Sequence, residues 1–299
     1  MDFDRTSLKA LSAILREGSF EAAADKLGMT QPSVSARIKS LENRVGAQLI
    51  VRARPCVATN YGQILAKLAD QISYLEVEAT RALEELGMET GRRPSIIKVA
   101  VNADSLATWF PRVVKRAQRE LNIFLDILVD DQTSTYEHLT KGEVAGALST
   151  ETLKLPGSTS TPLGTMDYIP VASPEFVGAY FADGFTAEAF RNAPAIIYDR
   201  KDRLVRRWAE QAFGETQLLE GHVLPSFGGY LAGCLNGTGW GMMPTISVTR
   251  YLLDAELVDL SEGRKLAEPL FWHISARRSK VLNLLSKIVA DEASILQLK

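Results

Sequence analysis

The sequence predicts a mainly helical winged helix-turn-helix at the N-terminus, a long linker helix, and an α/β domain in the rest of the chain. Three observations predict this order. Three short helical segments with capping residues precede an arginine-rich hairpin, and residues 61–87 carry a heptad pattern of apolar side chains. From residue 96 onward, apolar strand segments alternate with helical segments. The predicted boundaries are 1–60 for the winged helix-turn-helix, 61–88 for the linker helix and 89–95 for a hinge.

The composition is that of a globular protein, with 46% hydrophobic and 23% charged residues over 299 positions. A net charge of −2 excludes a protein that is basic along its whole length, although it leaves room for a local basic patch. Two cysteines and three scattered histidines form neither a disulfide framework nor a zinc-ligand spacing. With no signal peptide, membrane span or catalytic motif, we expect a cytoplasmic protein that is not an enzyme and needs no cofactor or metal.

Capping residues mark the three N-terminal helices. The first is expected to be capped by Thr6 or Ser7 and to end at Gly18, and the second to be capped by Ser19 and to end at Gly28. Thr30 is expected to cap the third, which tolerates Pro32 in its first turn.

The third helix has two different faces. Its apolar face repeats at i, i+4, i+7 and i+11 from Val34 to Val45, and a face of hydroxyl and guanidinium groups lies beside it. A short helix, a tight turn and a helix with a cationic outer face are what a helix-turn-helix requires. The candidates for contact with base edges are Gln31, Ser33, Ser35 and Arg37. The alternative is an amphipathic core helix with one solvated side.

A small hairpin follows and forms the wing, with Arg52 and Arg54 placed for DNA phosphates. Residues 30–54 carry a local charge of +4, since Glu42 is their only anion. Double-stranded DNA is therefore the predicted partner of the N-terminal part.

The N-terminal pattern resembles the winged-helix signature of the LysR-type transcriptional regulators. The matching positions are 18–24, 27, 30–35, 38, 41–42 and 49–52. Segments 100–109, 141–147 and 237–242 are similar to those of the basic-amino-acid-responsive ArgP/LysG-like branch, so the resemblance extends over essentially the whole chain. It implies a regulator that senses a small effector, such as lysine or arginine, and controls an amino-acid exporter or amino-acid metabolism.

The linker helix carries an apolar seam with spacings of three and four over three heptads. Its members are Leu65, Leu68, Ile72, Leu75, Ala79, Ala82 and Leu86. The narrow stripe, flanked by charged residues, favours pairing of two chains over burial of the helix against its own chain. The resemblance implies the same, a homodimer through this helix and often a homotetramer.

Strands alternating with helices predict a parallel sheet in the C-terminal part. The predicted strands include 96–101, 123–129, 144–148, 169–172, 195–198, 241–244 and 269–274, and the predicted helices 105–120, 136–141 and 280 onward. The resemblance implies two α/β subdomains joined by crossing strands, as in periplasmic binding proteins, with a ligand cleft between them. We assign 96–166 and 268–299 to subdomain I and 167–267 to subdomain II.

Ligands of open α/β sheets bind at the carboxyl ends of strands and near helix N-termini. The amides that open the helix after the first strand suit a carboxylate, and the carboxylates that follow the second strand suit an ammonium or guanidinium. An amino acid carries both groups, and a basic one fits best. The candidate effector-binding residues are Asn102, Asp104, Ser105, Asp130, Asp131, Ser149, Thr150, Asp199 and Phe227. Each of these polar residues could instead be an ordinary helix cap or loop residue.

One departure from the branch concerns the effector. Where these regulators usually have an acidic residue shortly after a Ser or Thr, this chain has Gly228 beside Phe227. A less cationic or more apolar effector is therefore an alternative. An enzyme or an amino-acid-binding protein with an N-terminal docking module are alternatives from other classes.

Overall fold

Three helices and a hairpin form the N-terminal head, which we define as residues 2–58. The computed structural model describes residues 2–86, 94–130, 138–139, 143–151, 158–214, 220–275 and 279–296. The head comprises α1 (Arg5–Glu17), α2 (Phe20–Leu27), α3 (Gln31–Val45), and the antiparallel strands β1 (Ile50–Val51) and β2 (Val57–Ala58). The predicted helices and wing are confirmed, and so are the caps of α2 and α3 by Ser19 and Thr30.

The predicted cap of α1 is wrong. Asp4 caps this helix, because its carboxylate accepts the backbone N–H of Ser7 at 2.9 Å, and Thr6 and Ser7 lie inside the first turn. A carboxylate at a helix N-terminus also interacts favourably with the helix dipole, which a hydroxyl does not match.

Gly18 joins the first two helices to the wing. Its φ of 75° is the left-handed conformation that ends α1, and its carbonyl accepts the backbone N–H of Cys56 at 2.8 Å. A Cβ at this position would lie 3.0 Å from Cβ of Pro55, so the wing packs closely against the end of α1.

The linker helix α4 (Asn60–Glu85) divides its apolar side chains between two environments. Its N-terminal half packs into the core of the head through Leu65, Leu68 and Ile72. Val77, outside the predicted seam, is buried in the core of the C-terminal domain. Leu75, which is 60% exposed, is followed by the exposed seam residues Ala79, Ala82 and Leu86. Burial against the chain itself thus accounts for the first half of the seam and leaves the second half open.

The C-terminal domain, residues 94–296, is built on a seven-stranded mixed sheet with strand order β10-β6-β11-β5-β3-β4, and β9 pairs with β6. The strands are β3 (Ser95–Val101), β4 (Ile123–Val129), β5 (Gly146–Ser149), β6 (Ser158–Ala172), β9 (Gly241–Pro244), β10 (Val258–Asp259) and β11 (Leu266–Ser275). A separate parallel pair consists of β7 (Ala195–Ile197) and β8 (Gly221–Val223).

Eight helices of this domain cover the strands. They are α5 (Ala103–Thr108), α6 (Phe110–Leu121), α7 (Pro174–Tyr180), α8 (Ala187–Asn192), α9 (Leu204–Phe213), α10 (Phe227–Leu235), α11 (Thr245–Leu253) and α12 (Lys280–Glu292), counted within the described residues. The single helix predicted for 105–120 is two helices that meet at Trp109. Pro111 lies in the first turn of the second, where its missing N–H breaks no hydrogen bond.

Within the seven-stranded sheet, the prediction of parallel strands holds only for β3 with its neighbours β4 and β5. The long strands β6 and β11 pair antiparallel from Leu266 opposite Tyr168 to Ser275 opposite Ser158. Both run through the predicted subdomain boundaries at 166/167 and 267/268, so the two crossing strands form one continuous part of the sheet. Most of the hinge 89–95, most of the helix 136–141, and Asp131 lie outside the described residues.

Candidate nucleic-acid interface and ligand cavity

The recognition face of the head belongs to α3. Val34, Ile38 and Leu41 are at most 3% exposed and hold the helix against α1 and α2. The opposite side leaves Gln31 and Ser33 exposed at its N-terminal end. The first turn is fixed by Thr30, whose hydroxyl lies 2.8 Å from Oγ of Ser33.

Arg37 is the most constrained of the predicted base-reading residues. Its Nη1 lies 3.6 Å from Oδ2 of Asp4, the residue that caps α1. Hydrogen bonds from Ser7 are the main cause that lowers the pKa of Asp4, with a smaller contribution from Arg37, so the carboxylate is charged at neutral pH. Ser35, two residues before Arg37 in the same helix, is half-buried.

The wing exposes both of its arginines. The guanidinium of Arg52 lies 4.9 Å from the ring centroid of Phe20, a cation–π contact that holds the side chain beside α2. Arg54 is exposed in the turn between β1 and β2. Recognition helix and wing together place the predicted DNA contacts on one head, with cations at the wing where phosphates would lie.

The C-terminal domain contains a cavity of about 1040 Å³ where its two halves meet. One wall comes from the carboxyl ends of β3, β4 and β5, as the fold class predicts. The facing wall comes from residues 198–207, α10 and β9, and Glu268 of β11 closes the side.

Six predicted effector residues line this cavity: Asn102, Asp104, Asp130, Thr150, Asp199 and Phe227. Ser105 is fully buried in the first turn of α5, outside the lining. Ser149 is also outside it, with its hydroxyl 2.8 Å from Nε2 of His273. Asp131 lies outside the described residues.

Asp104 is a buried carboxylate of the cavity wall. Burial raises the pKa of its carboxyl group to about 6, and the carboxylate of Asp202 contributes to this rise. The hydrogen bond that the Tyr168 hydroxyl donates at 2.6 Å has the opposite effect and lowers the pKa. Burial, with contributions from Asp104 and Asp199, also raises the pKa of the Tyr198 hydroxyl. The wall around Asp104 is thus aromatic and acidic, an environment that favours a bound cation.

Two other cavity carboxylates, Asp199 and Asp202, accept backbone hydrogen bonds. Oδ1 of Asp199 accepts the backbone N–H groups of Lys201 and Asp202 at 2.6 and 2.9 Å. Asp202 in turn accepts the N–H of Leu204 at 2.8 Å and that of Tyr198 at 3.3 Å. These two carboxylates fold the loop that carries the facing wall.

Asp130 is held at the rim by His138. The two ring nitrogens of His138 lie 2.8 Å from Asp130 Oδ2 and 2.5 Å from Glu143 Oε2. Burial disfavours the charged imidazolium, but hydrogen bonds to Glu143 and Asp130 outweigh it and raise the pKa of His138.

Two polar groups in the cavity wall have distinct surroundings. Asn102 is only 3% exposed, and neither atom of its amide has a hydrogen-bond partner in the described part of the chain. Glu268 is almost fully buried, and its Oε1 lies 2.7 Å from Nη1 of Arg207, an ion pair without the geometry of a hydrogen bond.

Four residues at or beside the cavity were not predicted from the sequence: Tyr168, Asp202, Arg207 and Glu268. The dense run of charges at 199–207, directly after a strand, is a signal that could have identified Asp202 and Arg207. Nothing local distinguishes Tyr168 or Glu268, because their role depends on how β6 and β11 pair.

Comparison with protein families gives two matches. Residues 6–63 match the family described as bacterial regulatory helix-turn-helix protein, lysR family. Residues 91–294 match the LysR substrate binding domain. The two matches together cover most of the chain.

Relatives match over nearly the full length. The chain is 38% identical over 291 residues to the HTH-type transcriptional regulator LysG of Mycobacterium tuberculosis, covering 97% of this chain and 94% of that protein. It is 38% identical over 289 residues to the HTH-type transcriptional regulator ArgP of Sodalis glossinidius, covering 96% of each.

Solved structures agree with the sequence comparison. The crystal structure of ArgP from Mycobacterium tuberculosis has a TM-score of 0.79 at 38% identity and covers 99% of both chains. Full-length LysG from Corynebacterium glutamicum, solved with its effector Arg bound, has a TM-score of 0.68 at 30% identity. That match covers 99% of this chain and 100% of the other.

Proposed function

Because the chain belongs to the LysR family of bacterial transcriptional regulators, we propose that it switches transcription in response to a basic amino acid, arginine or lysine. Its targets are genes of amino-acid export or amino-acid metabolism, and it acts in the cytoplasm, where the chromosome is. The observation that carries this proposal is Asp104, a buried carboxylate in the wall of the cavity, near tyrosines and further acids.

Elimination among the cavity carboxylates supports Asp104 as the group that meets the effector's cation. Asp199 and Asp202 accept hydrogen bonds from the backbone of their own loop, Asp130 lies against His138, and Glu268 lies against Arg207. Glu151 also lines the cavity but is exposed, whereas Asp104 is buried. Asp104 accepts one described hydrogen bond, on Oδ2, from the neutral hydroxyl of Tyr168. An ammonium or guanidinium would supply the positively charged partner that the neutral Tyr168 hydroxyl does not provide. The relative of known structure that binds Arg supports the same effector class.

Asn102 supports an amino acid over a simple cation. Its buried amide presents one donor group and one acceptor without described partners, and leaving such groups unpaired is costly. An amino acid carries both hydrogen-bond donors and acceptors and can satisfy them, which a simple cation cannot.

DNA recognition is proposed for the residues that the sequence analysis identified. Gln31, Ser33, Ser35 and Arg37 would read base edges, and Arg52 and Arg54 would contact phosphates. Effector binding would change the angle between the two halves of the C-terminal domain, and thereby the spacing of two heads. This requires that the effector bind one arrangement more tightly than the other.

The pairing of two heads is proposed for the exposed half of α4. Leu75→Glu places a charge in the exposed stripe and should shift the protein from dimer to monomer in sedimentation experiments. Leu253→Glu, at an apolar side chain that is 81% exposed on α11, is the control and should leave the oligomeric state unchanged. An unchanged state in Leu75→Glu would place the dimer contact elsewhere.

A gel shift with the DNA upstream of the chain's own gene, with and without arginine or lysine, tests the regulator and its effector together. Isothermal titration of the full chain with each amino acid tests the site, and glutamate is the control ligand. Equal affinity for specific and random DNA would refute specific recognition. The absence of heat with both basic amino acids at millimolar concentration would refute the effector assignment.

One observation favours a second candidate, a less cationic effector. Gly228 stands where related regulators usually have an acid, and a Cβ at this position would meet no atom within 4 Å. The missing carboxylate therefore leaves open space beside Phe227, which lines the cavity with an aromatic ring. Titration with neutral and aromatic amino acids in the same experiment separates the two candidates.

A further inference from the structure

Five cationic side chains line the wall of the cavity opposite Asp104. They are Arg200, Lys201, Arg203, Arg206 and Arg207. Among the described residues, an ion pair with a carboxylate is present only for Arg207, whose Nη1 lies 2.7 Å from Oε1 of Glu268. Within the described residues, Arg207 is therefore the one cation of this wall that an ion pair holds.

Glu268 explains why Arg207 is fixed. The glutamate side chain is 5% exposed and belongs to β11, so its carboxylate sits in the sheet beneath the cavity. A buried carboxylate is tolerated when a cation compensates it, and Arg207 supplies that cation. The Arg207 side chain remains 47% exposed and lines the cavity, so burial against Glu268 does not enclose it. A guanidinium held at one edge is well prepared to bind a second carboxylate at the other.

The register of β6 and β11 relates this ion pair to Asp104. Tyr168, which donates to Asp104, lies opposite Leu266, and Glu268 lies opposite Met166. Since side chains alternate along a strand, Tyr168 and Glu268 project from the same face of the sheet. They are diagonal neighbours, about 7–8 Å apart at the backbone. The acidic partner of Tyr168 and the cationic partner of Glu268 thus line one cavity.

We propose that Arg207 binds the carboxylate group of the effector and that Glu268 is the positioning residue that orients it. The inference rests on the proposed function, because it takes the effector to be a basic amino acid whose cation meets Asp104. It assigns the carboxylate to the wall opposite α5, and not to the amides at the start of that helix, where the sequence analysis placed it.

The test compares arginine with agmatine, which has the same guanidinium and no carboxylate. Isothermal titration of the full-length protein with both ligands should show that the wild type prefers arginine. In Arg207→Met the affinity for arginine should fall about tenfold or more, as expected for a lost charged hydrogen bond, while that for agmatine changes little. The ratio of the two affinities is insensitive to a general loss of active protein, so it separates recognition from damage to the fold.

Glu268→Gln should lower the same ratio by a smaller factor, because the amide keeps the shape and loses the charge that orients Arg207. Arg250→Met removes an ion-paired arginine on α11, outside the cavity lining, and should leave both affinities unchanged. A wild-type ratio retained by Arg207→Met would overturn the inference, and so would an equal fall of the ratio in Arg206→Met. If the wild type binds neither arginine nor lysine, the proposed function fails instead.

Discussion

In the head, every residue proposed to contact DNA lies between Gln31 and Arg54, whereas the cavity takes its lining from positions 102 to 268. The head has its own buried core, separate from that of the C-terminal domain. A recognition helix needs one continuous amphipathic segment, but a cavity between two halves needs strand ends, loops and helices that the fold alone brings together. The comparison teaches that contiguous sites can be identified from sequence patterns, and assembled sites mainly from structure.

The largest expected effect comes from a substitution that destabilises the head and leaves the cavity intact. Ile38→Ala removes a side chain that is 1% exposed in the core of the head and should cost about 2–5 kcal/mol of stability there. We expect DNA binding to be lost in a gel shift while isothermal titration still detects arginine. Loss of both would mean that the two regions do not fold independently. Leu253→Glu is the surface control.

Specific recognition is tested by Arg37→Ala, which should weaken binding to the specific site by about 1–3 kcal/mol and binding to random DNA much less. Arg37 lies near Asp4, so Asp4→Asn is a matched variant that keeps a capping side chain and frees the arginine. It should bind DNA at least as tightly as the wild type in fluorescence anisotropy.

Arg52→Ala should behave differently, lowering affinity for all sequences and reducing the salt slope by about one. If Arg37→Ala and Arg52→Ala affect specific and random DNA alike, the division between α3 and the wing is wrong.

Arginine binding in the cavity should depend on pH in a way that DNA binding by the head does not. The pKa of Asp104 is raised to about 6, so the neutral carboxyl group dominates at lower pH and a cation must compete with a proton. Arginine affinity should therefore fall by up to about tenfold per pH unit below pH 6 and level off above it.

In Asp104→Asn this dependence should disappear together with most of the affinity. The variant isolates Asp104 from Asp70, whose pKa burial also raises to about 6, although Asp70 does not line the cavity. The stability of the free protein gives a check of opposite sign. Its unfolding free energy should fall as the pH rises from about 4 to about 6, because the folded state holds the proton more strongly, and Asp104→Asn should reduce that fall and leave the part that Asp70 contributes. A wild-type affinity that is flat from pH 5 to 7 would contradict this role.

The smallest expected effect concerns position 228 and tests whether it belongs to the effector site. Gly228→Glu adds a carboxylate into open space beside Phe227 and should raise lysine affinity by a factor of about two to five, as expected for a solvent-exposed ion pair. Gly228→Gln is the neutral control. Unchanged lysine selectivity in isothermal titration would place this position outside the effector site.

The sequence by itself determined the features that depend on near neighbours. The caps at Ser19 and Thr30, the glycine at 18 and the buried stripe of α3 follow from local hydrogen bonding and a period of 3.6 residues. The strand ends at Asp104 and Asp130 could also be predicted, because ligand sites of such sheets follow the carboxyl ends of strands.

Only the tertiary structure decided the rest. The antiparallel pairing of β6 with β11 places Tyr168 and Glu268 on one face although 100 positions separate them, and no local pattern encodes that register. The same holds for α4, where packing against two cores buries Leu65 and Val77 and leaves Leu75 exposed, a division that a uniform heptad pattern does not contain. Residues at strand ends can be predicted one at a time, but which of them face each other depends on long-range pairing.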